Sequence, residues 1–240
     1  MLAIDFPEPR FHDVALEAEA RSRELAANTE VLKEPPLLKR LSVAEPIVVP
    51  LSPKKVYQDP DIANFITKQK DRQQFFLVRL ACSFAPPDGE PINRAWVVVE
   101  LHGAKRTEPT ASVVIAMDPN SLSDTQKVER SLKASATVKL AAGSLTFEGG
   151  GAKSKPEAEL FMVALGVGKN AAAWEMYQTT AMKIGGIYVY NLIVQVPAKQ
   201  ITHGTVNTNV EIKRKLFGIV TYKAMLDEHP SSKFICSSAD

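Results

Sequence analysis

No glycine occurs in residues 1–88 of this chain, while eleven of its sixteen prolines fall before Leu101. Proline fixes φ and removes a backbone donor, so it suits extended arms and resists sheet interiors. From Gly89 onward the glycines arrive in turn-like clusters, and the runs between them are rich in Val, Ile, Leu and Thr. Glycine supplies the φ > 0 positions that hairpins need. The chain therefore reads as mainly β. The expected fold is an antiparallel β-sandwich, or a partly open barrel, of about eight to ten strands, preceded by an N-terminal helix and a proline-rich extended arm. The expected divisions are 1–72 for helix and arm, 73–226 for the β-sandwich body and 227–240 for a polar, frayed tail.

Residues 13–32 are dominated by Ala, Glu, Arg and Leu, all strong helix formers. Asp13 can cap such a helix, its sparse apolar stripe is Val14, Ala18, Leu25 and Leu32 with Leu16 nearby, and Glu34-Pro35-Pro36 ends it. Residues 35–60 then hold six prolines interleaved with aliphatic side chains. Leaving those groups in water costs roughly 25 cal/mol per Å² of apolar surface, which argues against a free linker. An arm packed onto a surface is expected, with Leu37, Leu38, Leu41, Ile47, Val48 and Val49 as the interaction residues. A short helix follows over Ile62–Lys70.

In the body, Phe76–Phe84 reads as a strand with one buried face. Ala85-Pro86-Pro87-Asp88-Gly89 carries turn chemistry, and Arg94–Leu101 is expected as the return strand. Further strands are expected at Ser112–Met117, 133–147 with a bulge near Ala142-Gly143, Ala158–Leu165, Ala173–Tyr177, Ile187–Val196, Thr205–Lys213 and Leu216–Met225. A short helix is expected over Ser123–Arg130 and a loop over 149–156. Trp96 and Trp174 are expected as core anchors.

The motifs of familiar chemistry are missing. Gly166-Val167-Gly168-Lys169-Asn170 resembles a phosphate loop, but Val163 stands where its first glycine belongs and Asn170 where Ser or Thr should bind magnesium. A turn between two strands explains it better. Gly-x-Ser-x-Gly is absent from the sequence. His12, His102, His203 and His229 show no metal-ligand spacing. His102 and His203 both precede glycines at strand ends, where two turn histidines brought there by chance are the favoured reading. Cys82 and Cys236 are too few for a disulfide framework.

A formal charge of +2, from 29 basic and 27 acidic residues, disfavours a protein that lives on phosphate neutralisation. Lys213-Arg214-Lys215 with Tyr188 and Tyr190 is a weak nucleic-acid signal. No continuous apolar run of membrane-span length occurs, and the N-terminus has no signal-peptide pattern. The sequence thus leads to a cytoplasmic, non-enzymatic interaction or assembly protein without a cofactor, catalytic residue or metal, whose arm docks on a protein partner or a second copy. Two alternatives stand behind it. One is a membrane-active, pore-forming protein inserting amphipathic strands; the other is an enzyme of unrecognised type using His102 or His203.

Overall fold

The computed structural model describes residues 6–18, 37–53, 60–86, 88–103, 109–124, 159–214, 218–225 and 232–237. Along them run β1 (Phe11–Ala18), β2 (Leu37–Ala44), β3 (Ile47–Leu51), α1 (Pro60–Gln69), β4 (Gln73–Phe84), β5 (Ile92–His102), β6 (Val113–Asp118), β7 (Ser121–Ser123), β8 (Leu160–Leu165), β9 (Ala171–Tyr177), β10 (Gly186–Pro197), β11 (Thr202–Arg214), β12 (Gly218–Met225) and β13 (Ser232–Cys236). Every pairing is antiparallel. Two sheets are linked through β2 and β1 into the order β6-β10-β4-β2-β1-β12-β11-β5-β9-β8-β7, with β3 beside β4 and β13 beside β11.

Period-two patterning explains most of the strands. In β5 the odd-numbered Ala95, Val97, Val99 and Leu101 are buried, in β9 the even-numbered Ala172, Trp174 and Met176, and in β10 Tyr188, Tyr190, Leu192, Val194 and Val196. These side chains share one core with Phe76, Val78, Leu80, Cys82 and Phe84 of β4. β4 is buried on its other face too, contrary to the one-face reading. Phe75 and Leu77 lie under α1 in a second cluster with Ile66, Ala116 and Ile193. The rings of Phe65 and Phe75 meet edge to face at 5.4 Å there.

The N-terminal expectations need correction. Residues 11–18 form β1, not the start of a helix. Helix propensity is a weak bias, and here burial of Val14 and Leu16 in the common core, each 1% exposed, outweighs it. The rest of the expected helix lies outside the described residues. The arm is not sheet-incompatible either: β2 pairs β1 and β4, and β3 pairs β4 from Ile47↔Arg79 to Leu51↔Phe75. Pro46 falls between those strands. Pro50 sits in β3, whose one strand partner among the described residues is β4, the edge position that proline tolerates.

The expected hairpin of β4 and β5 also fails. β4 hydrogen-bonds β10, β2 and β3, whereas β5 hydrogen-bonds β11 and β9, so the two consecutive strands belong to different sheets. Residues 232–236 of the expected frayed tail form β13 against Thr202–Val206, with Phe234 and Cys236 buried and Lys233 and Ile235 exposed. Gly166–Asn170 is indeed the turn from β8 to β9, with Gly166 at φ 92° and Gly168 at φ 85°. α1 matches the helix expected over Ile62–Lys70. The strand and bulge expected over 133–147, the loop over 149–156 and nearly all of the helix over Ser123–Arg130 lie outside the described residues.

Candidate interaction face

Residues of opposite parity to the core strips of β5, β9 and β11 share the outer face of one sheet. The register assembles them into rows: Tyr177–Arg94–Glu211, then Glu175–Trp96–Asn209, Ala173–Val98–Asn207, Ala171–Glu100–Thr205, and finally His102–His203. Trp96 is therefore half-exposed and outward, which corrects its expected place in the core. Trp174, one strand away and of the inward parity, is fully buried, and its indole N–H donates to the Pro119 carbonyl at 2.9 Å. The signal for Trp96 was present in the sequence. It shares even numbering with Arg94, Glu100 and His102, and alternation assigns all of them to one face.

At the head of this face one cation organises two rings. The Arg94 guanidinium carbon stands 4.9 Å from the ring centroids of both Trp96 and Tyr177, and one guanidinium nitrogen lies 4.0 Å from Glu175 Oε2. The Tyr177 hydroxyl donates to the same Oε2 in a short hydrogen bond. That carboxylate, accepting the phenolic proton, holds the Tyr177 hydroxyl above its ordinary pKa. Aromatic bodies and charged tips are thus fixed by one another in a sector where no helix covers the strands among the described residues.

At the other end of the rows, His102 and His203 are directly opposite each other across β5 and β11. His102 Nε2 is 3.2 Å from Thr205 Oγ1 and 4.0 Å from Glu100 Oε2. The sequence favoured two turn histidines by chance over a pair that meets in space, yet strand register sets the two positions opposite each other. No group of three or more His, Cys, Asp or Glu is placed to hold a metal among the described residues.

The outer face of the other sheet is already occupied. Alongside α1, Phe6 lies over the Arg79 guanidinium at 4.4 Å. Arg79 is opposite Asn191, and Asn191 is opposite Asp118, forming a mostly buried polar row. Burial lowers the Arg79 pKa and raises that of Asp118, the latter partly offset by the hydrogen bond from Asn191. A recess of about 240 Å³ beside α1 is lined by apolar side chains, among them Leu51, Ile66, Phe75 and Phe76, and by the polar Lys70, Gln73 and Gln74.

The six residues expected to make contacts are dispersed. Leu41 is fully buried, and Leu37 and Val48 are partly buried against the main core. Ile47 and Val49 lie half-buried along β4. Leu38 stands apart at 63% exposure. Between Val14↔Leu41 and Leu16↔Leu37 the register shifts, and Lys39 takes φ 58° beside Leu38. Tyr188 and Tyr190 face the core, which removes them as stacking platforms for nucleic-acid bases. The chain matches no protein-family model and no curated protein.

Proposed function

We propose that this protein is a non-enzymatic assembly module whose two sheets stack as a sandwich and whose contact face is the outer surface of β5, β9 and β11. The observation carrying the reading is the stacked trio Trp96, Arg94 and Tyr177 on that face. Trp, Arg and Tyr are the residue types that dominate binding energy at protein interfaces, because they combine large apolar area with few freely rotating bonds or several fixed donors. Across the rest of the face, amides and carboxylates alternate with small residues, including Asn207, Asn209, Ala171 and Ala173, as at the polar rim of an interface.

The partner favoured is a second copy of the chain. Arg94 and the acidic Glu175, Glu211 and Glu100 share one surface, so a two-fold rotation can set the cation of one copy against carboxylates of the other. Leu38, exposed beside the β2 bulge, is the member of the proline-rich segment suited to an added contact. The test is sedimentation velocity over a wide concentration range with the wild type and Trp96→Ala. The expected result is concentration-dependent self-association that Trp96→Ala weakens at least tenfold while the melting temperature stays within a few degrees. A wild-type monomer at every concentration would sink the proposal.

A further inference from the structure

The facing histidines at the end of the same sheet face carry an inference independent of self-association. Directly opposed residues in an antiparallel pair have Cβ atoms about 4.5–5.5 Å apart, and their side chains leave the sheet on one side. Two imidazoles so placed can reach a common ion. Both are half-buried, with His102 keeping 19% of its side chain in contact with solvent, so a hydrated ion has access.

We propose that His102 and His203 chelate a single divalent late-transition ion, with copper(II) preferred over nickel(II) and zinc(II) as expected for nitrogen donors. The neighbours of His102 prepare it for this. A metal-bound imidazole uses one ring nitrogen for the ion and donates the N–H of the other to an oxygen nearby. Thr205 Oγ1, on a residue 3% exposed, is at 3.2 Å from Nε2, and the Glu100 carboxylate is 4.0 Å away on the same nitrogen. Both oxygens are able to accept a proton from Nε2, and the proposed ion accordingly takes Nδ1. Because no third His, Cys, Asp or Glu completes a cluster among the described residues, water fills the remaining coordination positions. The site is therefore an open, exchangeable one, unlike closed structural sites with four protein ligands.

The experiment is a titration of the full chain with copper(II) at pH 7.5 in a non-coordinating buffer, read by electron paramagnetic resonance and by proton spectra of the histidine rings. One equivalent is expected to bind with a two-nitrogen hyperfine pattern. Substoichiometric copper should broaden the ring resonances of His102 and His203 ahead of those of His12 and His229. His102→Gln and His203→Gln should each lower affinity at least tenfold and leave a one-nitrogen pattern, whereas His12→Gln should bind like the wild type. Thr205→Val should weaken binding severalfold with both nitrogens retained. A one-nitrogen pattern in the wild type, or preferential broadening of other histidines, would overturn the assignment. The ring spectra are read on unmodified protein, so the test survives a variant that does not fold.

Discussion

The ring of Phe234 occupies the space that a side chain on Gly204 would need, so the ring can lie across β11 at this point only because position 204 has no Cβ. A methyl group there would fall within the ring, and backbone pairing prevents either strand from moving far. Gly204→Ala should destabilise by about 1–3 kcal/mol, the usual cost of overpacking. Phe234→Ala alone should cost about 3–5 kcal/mol through lost burial. The double variant should cost clearly less than the sum of the two, since the clash disappears with the ring. Additive losses in a denaturation series would show that the strands yield at this point.

The two tryptophans should separate stability from surface. Trp174→Ala removes a fully buried side chain and leaves the Pro119 carbonyl without its donor, so a loss of about 3–5 kcal/mol is expected in urea melts. Trp96→Ala, on the open face, should cost about 1 kcal/mol or less. Equal losses would show Trp96 to be as deeply packed as Trp174.

Val48→Asp tests the docking of β3. Val48 is opposite Val78 and packs on the main core, so an aspartate must either ionise against apolar surface or pull the strand away. A loss of about 2–4 kcal/mol is expected from an unpaired charge set against the core at this half-buried position. An unchanged melting temperature would mean that β3 contributes nothing to the fold.

Asp118 should imprint a pH dependence. Burial raises its pKa in the folded protein, so the native state holds this proton more firmly than the unfolded chain does. Its contribution is therefore most favourable in acid and is lost as pH rises through the raised value. Asp118→Asn should remove that decline, so that the difference in melting temperature between variant and wild type grows in the variant's favour from pH 4 to pH 7. A difference constant with pH would refute this account.

Both thiols should be inert in the folded protein. Burial pushes Cys82 and Cys236 each up to about 12, and the thiolate is the form that alkylates. Iodoacetamide at pH 8 should label neither within an hour, and both in denaturant. Rapid native labelling of Cys236 alone would indicate that β13 detaches readily.

Sequence patterning located the β-strands best where alternation and punctuation agreed, as in β9, β10 and β11. It failed where local preference conflicted with distant burial. The Ala-, Glu- and Leu-rich stretch around β1 favours helix on its own, and only the core at Leu41 and Val43 makes extended backbone the better choice. β13 has one short alternating run, whose two inward residues matter because Gly204 makes room for one of them. Pairing order was the least legible feature: turn chemistry at Pro86–Gly89 marks a reversal but does not say which sheet receives the next strand. The face proposed for assembly was half-legible. Parity separates Trp96 from Val97, but the convergence of Arg94 on both Trp96 and Tyr177, and the pairing of position 102 with position 203, depend on register between strands far apart in sequence.

β1 takes its place between β2 and β12, joining Ala15 to Met225 far along the chain. Loop closure over such a separation is slow, because its entropy must be lost before contacts reward it. During synthesis, Val14 and Leu16 therefore wait for their neighbouring strand until the chain has been made as far as β12. For that interval the early strand has an open edge and apolar side chains without their final cover, the combination that invites pairing with another nascent copy.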